Sequence, residues 1–256
     1  MLLPSILSKK KAIGATHVVI DIPTGMGAKI KTRQEAYTLA SDFVDLGKRL
    51  ELNIQCALTF GDPPLGCGIG PALEAREALV TLMGGGPPDL REKAVSLASM
   101  LFEMVGVDNP RSMADEMIDS GKAERKMREI IAAQGGNAGT KPEDLPVGPK
   151  STVVRSKEAG KVLWLNTDAI VRIARIAGAP KEKGAGVILH AKLGDTVRKD
   201  GILLEIYAER SSRLSAALEL ANQLSPIVLS KKPEEKMVLD TIPEKTKYEK
   251  AFNLDR

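Results

Sequence analysis

Three short stretches combine residue types that could do chemistry. In "PTGMGAK" (Pro23–Lys29), Gly25 and Gly27 stand ahead of a lysine. Glycines let a backbone approach a ligand closely, and an ammonium beside them suits a phosphate. The stretch is not a Walker loop, because Gly27-Ala28-Lys29 lacks the G-K-[ST] ending and the interval. It also lacks the third glycine of the dinucleotide fingerprint. The plainer reading is a tight strand-to-helix turn with an exposed lysine. Ser5 and Lys9 are four residues apart and share one face if the segment is helical. Their hydroxyl and ammonium could hydrogen-bond carbonyl or ring-nitrogen acceptors of a small molecule. With Ser8, Lys10 and Lys11 beside them, the alternative is an ordinary solvated face. In "PPLGCGIGPALEARE" (Pro63–Glu77), glycine-loop carbonyls precede the Glu77 carboxylate, a set suited to a potassium- or calcium-type cation. The alternative is a structural turn, with Glu77 paired to a neighbouring Arg or Lys.

Other reactive groups carry less. His17 and His190 are the two histidines, each among strand-like apolar residues without a metal-ligand partner nearby. Cys56 and Cys67 lack metal-ligand spacing. Asp21 ends a strand-like run, where a carboxylate could act chemically or fix the turn.

The elements that must position these groups follow from patterning. "LPSILSKKKAIGA" reads as a helix with Pro4 in its first turn and Gly14 as its stop. "HVVIDI" (17–22) is β-branched and apolar, as in a buried strand. After the glycine loop, Thr32 and Glu35 have the spacing of a capping box. Ala36, Leu39, Phe43 and Gly47 then fall on one helical face. With "NIQCALT" (53–59) as the next strand, residues 18–59 form one β-α-β unit, which implies parallel pairing. A helix from Pro71 and two or three more between Asp89 and Gln134 are expected, then a Gly/Pro/Lys-rich linker over 134–150. Strands are expected at 151–155, 160–165, 186–191 and 202–208, with helices near 167–177 and 212–224.

The fold class is therefore α/β: part of a parallel-sheet domain with added helices, then an α+β lobe. "LGDTVRKDGILLEI" resembles the hairpin of biotinyl and lipoyl domains without their tip lysine, so that lobe is expected to be barrel-sandwich-like. The expected division is 1–14, a helix of an incomplete helical domain; 15–140, the α/β part; 151–230, the α+β lobe; and 231–256, a charged tail. A β-α-β pair is a poor free-standing sheet, so the chain is expected to be part of something larger.

Composition narrows the class of function. The 256 residues are 43% hydrophobic, 27% charged and 3% aromatic, with net charge +4. That mild charge, without aromatic platforms, does not mark a nucleic-acid binder. No apolar run reaches membrane-span length, no signal-peptide pattern opens the chain, and two cysteines form no disulfide framework. A soluble cytoplasmic protein is expected.

Several of these motifs also carry a likeness in order along the chain. "PSILSKKKAIGATHVVIDIPTGMGAKIKTRQEA", "PLGCGIGPALEAREAL" and "GAPKEKGAGVILHAKLGDTVRKDGILLEIYAE" resemble the class II nucleoside phosphorylases, the thymidine and pyrimidine-nucleoside enzymes. The likeness runs from Leu3 to about Pro226. "DIPTGMGAK" with "IGPALEAREAL" is most similar to the archaeal AMP (nucleoside 5′-monophosphate) phosphorylase branch. The resemblance implies phosphorolysis, with nucleoside monophosphate and phosphate as substrates and free base and ribose 1,5-bisphosphate as products. It implies that Ser5 and Lys9 contact the base and that Lys29 faces the 5′-phosphate. It implies a cation held by the carbonyls of Leu65 and Gly68 and the carboxylate of Glu77, no required cofactor beyond that, and a homo-oligomer. The family's phosphate loop and base-protonating aspartate precede the matched region. Catalytic residues are thus expected upstream of Met1, and the isolated chain is expected not to turn over AMP. Thymidine or pyrimidine-nucleoside phosphorolysis and a non-catalytic assembly module are the alternatives.

Overall fold

The computed structural model describes residues 2–230; the expected charged tail, 231–256, lies outside the described residues. The first helix, α1 (Leu2–Ala12), ends at Gly14, whose φ of 74° is one that glycine takes without strain. Strand β1 (His17–Thr24) pairs in parallel with β2 (Asn53–Phe60), from His17 opposite Asn53 to Thr24 opposite Phe60. Between them α2 (Arg33–Arg49) makes the crossover. It opens with the expected capping box: the Glu35 amide donates to the Thr32 hydroxyl at 3.2 Å, and the Thr32 amide donates to the Glu35 carboxylate at 3.3 Å. Leu7, Val18, Ile22, Ala36, Phe43 and Ile54 bury together and fix α1 and α2 on the strand pair.

Four helices follow the strand pair. They are α3 (Pro71–Leu82), α4 (Pro88–Met104), α5 (Pro110–Asp119) and α6 (Lys122–Ala133). Each of the first three carries proline at its first helical position, where the missing N–H costs nothing. The Gly/Pro-rich stretch after α6 is not a slack tether. Pro142 is buried, and the Arg76 guanidinium of α3 donates to the carbonyls of Leu145 (2.8 Å from Nε) and Glu143 (3.2 Å). Composition reads as a linker, but hydrogen bonds from Arg76 of α3 fasten it near Glu143 and Leu145.

The remaining strands lie in two antiparallel sheets. One contains β3 (Gly68–Ile69), β4 (Lys150–Arg155), β6 (Gly186–Leu189) and β8 (Ile202–Ala208), in the order β3-β6-β8-β4. The other contains β5 (Gly160–Leu165), β7 (Thr196–Val197) and β9 (Ile227–Ser230), in the order β7-β5-β9. They share one core with α7 (Thr167–Ala177) and α8 (Ser211–Leu224), built on Val162, Ile170, Ile173, Leu204 and Ile206. The molecule is mixed α/β, and no barrel closes among the described residues. One pairing departs from the expected turn: Gly68 and Ile69 leave the glycine-rich loop to pair with Ile188 and Val187. That pairing attaches the loop after β2 to the C-terminal lobe.

Candidate functional site

The carboxyl ends of β1 and β2 carry the polar groups, as is usual at the strand ends of open α/β sheets. Asp21 lies near the end of β1. Its Oδ1 accepts the Thr59 hydroxyl of β2 at 2.6 Å. Its Oδ2 meets Lys93 Nζ of α4 at 2.6 Å, with the two side chains 27% and 18% exposed. Asp21 is thus a held carboxylate, partnered on both oxygens.

The glycine loop follows directly. The Gly25 amide donates to the Ile30 carbonyl at 3.0 Å and the Ala28 amide to the Gly25 carbonyl at 3.0 Å, closing the turn. The Lys31 ammonium donates to the Met26 carbonyl at 2.6 Å and braces it from outside. Behind the loop lies Asp62, whose Oδ1 accepts the Gly27 amide at 3.3 Å. A Cβ on Gly27 would sit 2.5 Å from the Asp62 carbonyl oxygen, and one on Gly25 would sit 2.5 Å from its Oδ1. These glycines are required because Asp62 packs against them, a reason that spacing within the loop could not reveal. Asp62 is held in turn from the C-terminal lobe, where the Thr167 hydroxyl of α7 donates to its carbonyl at 2.7 Å.

Lys29 projects from this loop, exposed, at the edge of a cavity of about 430 Å³. Ile6, Ile22, Leu39 and Phe43 give the cavity an apolar wall; Asp21 and Lys93 line it as well. Two ammoniums and one carboxylate beside an apolar wall suit an anionic molecule with an apolar body. From α1 the lining residue is Ile6, whereas Ser5 and Lys9 are exposed on the same helix outside the lining. The Ser5 carbonyl lies 3.5 Å from the Ser8 hydroxyl that donates to it. The cavity therefore brings Lys29 together with Asp21 and Lys93, and not with Ser5 or Lys9.

The loop after β2 holds the remaining candidates. The Glu77 carboxylate accepts the amides of Cys67 (2.9 Å to Oε1) and Gly68 (3.2 Å to Oε1). Leu65 is exposed. Nearby, Lys192 of the C-terminal lobe donates to the Pro64 carbonyl at 2.8 Å, to the Gly66 carbonyl and to Asp89 Oδ2 at 2.9 Å. Burial pushes the Asp89 carboxyl up. The Lys192 bond and charge, with the amides of Gly66 and Leu90, outweigh that and hold it below its ordinary value. Burial pushes both thiols, Cys56 and Cys67, above their ordinary range, so neither is an activated nucleophile. His17 accompanies the Thr16 hydroxyl at 3.0 Å, and His190 lies 3.6 Å from Glu205. No group of three metal-ligating side chains occurs among the described residues.

Lys93, Thr59, Asp62 and Lys192 are absent from the sequence-derived candidates. Lys93 is one lysine within a helix, and the signal that it faces Asp21 is tertiary. Asp62 carries one local cue, an acid just after a strand and before two prolines.

Comparison with known proteins agrees with this architecture. Residues 162–228 match the model of the pyrimidine nucleoside phosphorylase C-terminal domain. The C-terminal lobe is thus similar to the C-terminal domain of that family. AMP phosphorylase of Pyrococcus horikoshii is 50% identical over 247 residues, covering 94% of this chain and 48% of that protein. AMP phosphorylase 1 of Archaeoglobus fulgidus is 50% identical over 231 residues, or 90% and 46%. AMP phosphorylase of Methanosarcina acetivorans is 43% identical over 246 residues, or 94% and 48%. The chain spans about half the length of these relatives. It belongs to the class II nucleoside phosphorylase family and corresponds to the C-terminal part of its members. Among the described residues no helix is long and apolar enough to cross a membrane.

Proposed function

We propose that this chain forms the nucleotide-facing part of a phosphorylase acting on nucleoside 5′-monophosphates such as AMP. In that reaction an oxygen of inorganic phosphate bonds to C1′ as the C1′–N bond breaks. The bonding pair leaves with the base, which takes up a proton, and ribose 1,5-bisphosphate remains. The observation that carries the reading is Lys29: an ammonium without an ion pair among the described residues, at the edge of a largely apolar cavity. A 5′-phosphate satisfies that charge while the sugar and base lie along the Ile6–Phe43 wall.

In this reading Ser5 and Lys9, outside the cavity lining, reach the base from α1 past Ile6 at the rim. Asp21 and Lys93 neutralise each other and shape the cavity floor. This reading puts the attacking-phosphate loop and the proton donor outside this chain, so the chain alone is expected to bind nucleotide without turning it over. The names of the relatives, AMP phosphorylases, accord with the substrate. The free Cys56 and Cys67 accord with a reducing, cytoplasmic setting. Exposed Leu163, Trp164 and Val228 on β5 and β9 support association into a homo-oligomer.

A second reading, phosphorolysis of thymidine or other pyrimidine nucleosides, draws on the name of the matched domain model. Calorimetric titration of AMP and of adenosine into the 256-residue chain separates the two. The nucleotide reading expects AMP to bind more tightly. Equal affinities favour the nucleoside reading, and adenine release from AMP and phosphate by this chain alone overturns the placement of the chemistry elsewhere.

A further inference from the structure

The loop between β2 and α3 directs the carbonyls of Pro64 and Gly66 onto one point, and Lys192 Nζ lies there. An ammonium has three N–H donors. All three are engaged, by Pro64 O at 2.8 Å, by Gly66 O and by Asp89 Oδ2 at 2.9 Å. Asp89 is itself fixed, because its two oxygens also accept the amides of Gly66 (3.2 Å) and Leu90 (3.0 Å). Lys192 comes from a turn closed at both ends: its amide donates to Asp195 Oδ2 at 2.8 Å, and the Asp195 amide donates to its carbonyl at 3.0 Å. Two carbonyls and a carboxylate around one positive charge are the oxygen set of a hard cation.

Glu77, which the family resemblance assigns to a cation, is engaged by the protein's own backbone here. Both Glu77 oxygens accept amide hydrogens, those of Cys67 and Gly68, so backbone dipoles already stabilise its charge. Gly68 lies in β3 opposite Ile188, and its amide turns away from that strand to Glu77. A second cation in the same loop would also meet the charge of Lys192.

We infer that the Lys192 ammonium is the built-in cation of this loop, holding residues 64–66 to the C-terminal lobe in place of a potassium- or calcium-type ion. A covalently tethered charge needs no ion from solution, because its effective concentration is set by the chain. The clasp also reaches the candidate site, since Asp62, two residues before Pro64, supports the glycine loop that carries Lys29.

Thermal unfolding of the 256-residue chain, followed by circular dichroism at matched ionic strength, tests this. Potassium, sodium and calcium chlorides are compared with tetramethylammonium chloride, whose cation is too large for the loop. The expected result is one Tm for the wild type in all four, within about 2 °C, because binding to a native site would raise it by several degrees. Lys192→Met, which keeps the stem and removes the charge, is expected to melt at least about 4 °C lower in tetramethylammonium. A wild-type Tm raised beyond about 2 °C by potassium, sodium or calcium overturns the inference, as does a Lys192→Met chain that melts like the wild type. Should that variant not fold, the wild-type comparison alone decides.

Discussion

Replacing Gly27 by alanine isolates the contact that sets the position of the Lys29 loop. The φ of Gly27 lies outside the left-handed range, so alanine meets no backbone strain there. Alanine also restricts the unfolded chain, which by itself stabilises by about 0.4–1 kcal/mol. Against that stands the new methyl group, 2.5 Å from the Asp62 carbonyl oxygen and 3.1 Å from the Thr167 hydroxyl. The first of these atoms is backbone, tied to α7 by the Thr167 bond at 2.7 Å, so it cannot swing away as a side chain would. Overpacking of this kind costs about 1–3 kcal/mol. The net is a loss of about 0–2.6 kcal/mol, centred near about 1.3, which at its centre lowers Tm by about 3–5 °C for a chain of this size. Because relief must come from the glycine loop, AMP affinity should fall with stability. Asp62→Ala should not rescue it, since the obstructing atom remains. Differential scanning calorimetry and titration of AMP read both effects. A Gly27→Ala chain with a Tm above that of the wild type would refute the close packing of Asp62 on this loop.

Asp21→Ala leaves the Lys93 ammonium and the Thr59 hydroxyl without their shared acceptor, and a loss of about 1.5–3 kcal/mol is expected in urea unfolding. An unchanged midpoint would mean the trio contributes nothing. Asp89 has its carboxyl pKa lowered on folding, so its contribution is present above its unfolded value, about 3.9, and fades as pH falls through the lower folded value. Between neutral pH and about 2, Asp89→Asn should therefore lose less stability than the wild type, as measured by Tm against pH. Parallel curves would contradict the Asp89–Lys192 pairing.

The elements that were legible in the sequence announce themselves locally. Strand β1 and helix α2 are written in β-branched residues, a capping box and an apolar stripe, and each is where these signals put it. Strands β3 and β7 have two residues each, and β9 has four; too short to show a period, they exist because β5 and β6 offer edges. At the site, the glycine loop and Lys29 were visible as residue types at the end of a strand. The reason for its glycines was not, because Asp62 lies 35 residues from Gly27 and is positioned by Thr167, 105 residues further on. Glu77 shows the limit of reading by type. A carboxylate behind a glycine loop fits carbonyl-bound cations and backbone amides alike, and only the direction of the peptide groups distinguishes them.

Lys29 is proposed to recognise a 5′-phosphate. In bulk water two opposite unit charges 4 Å apart gain about 1 kcal/mol, and near a protein surface about 4 kcal/mol. A charge-assisted hydrogen bond beside the apolar wall should fall between these limits, at about 1.5–3 kcal/mol, or about 10- to 150-fold in affinity. The decisive measurement is a four-way calorimetric comparison of AMP and adenosine binding to the wild type and to Lys29→Ala. The expected result is that the wild type prefers AMP by that factor and that Lys29→Ala abolishes the preference while binding adenosine as before. An AMP preference that survives the substitution, or adenosine binding that falls equally with it, would contradict the assignment.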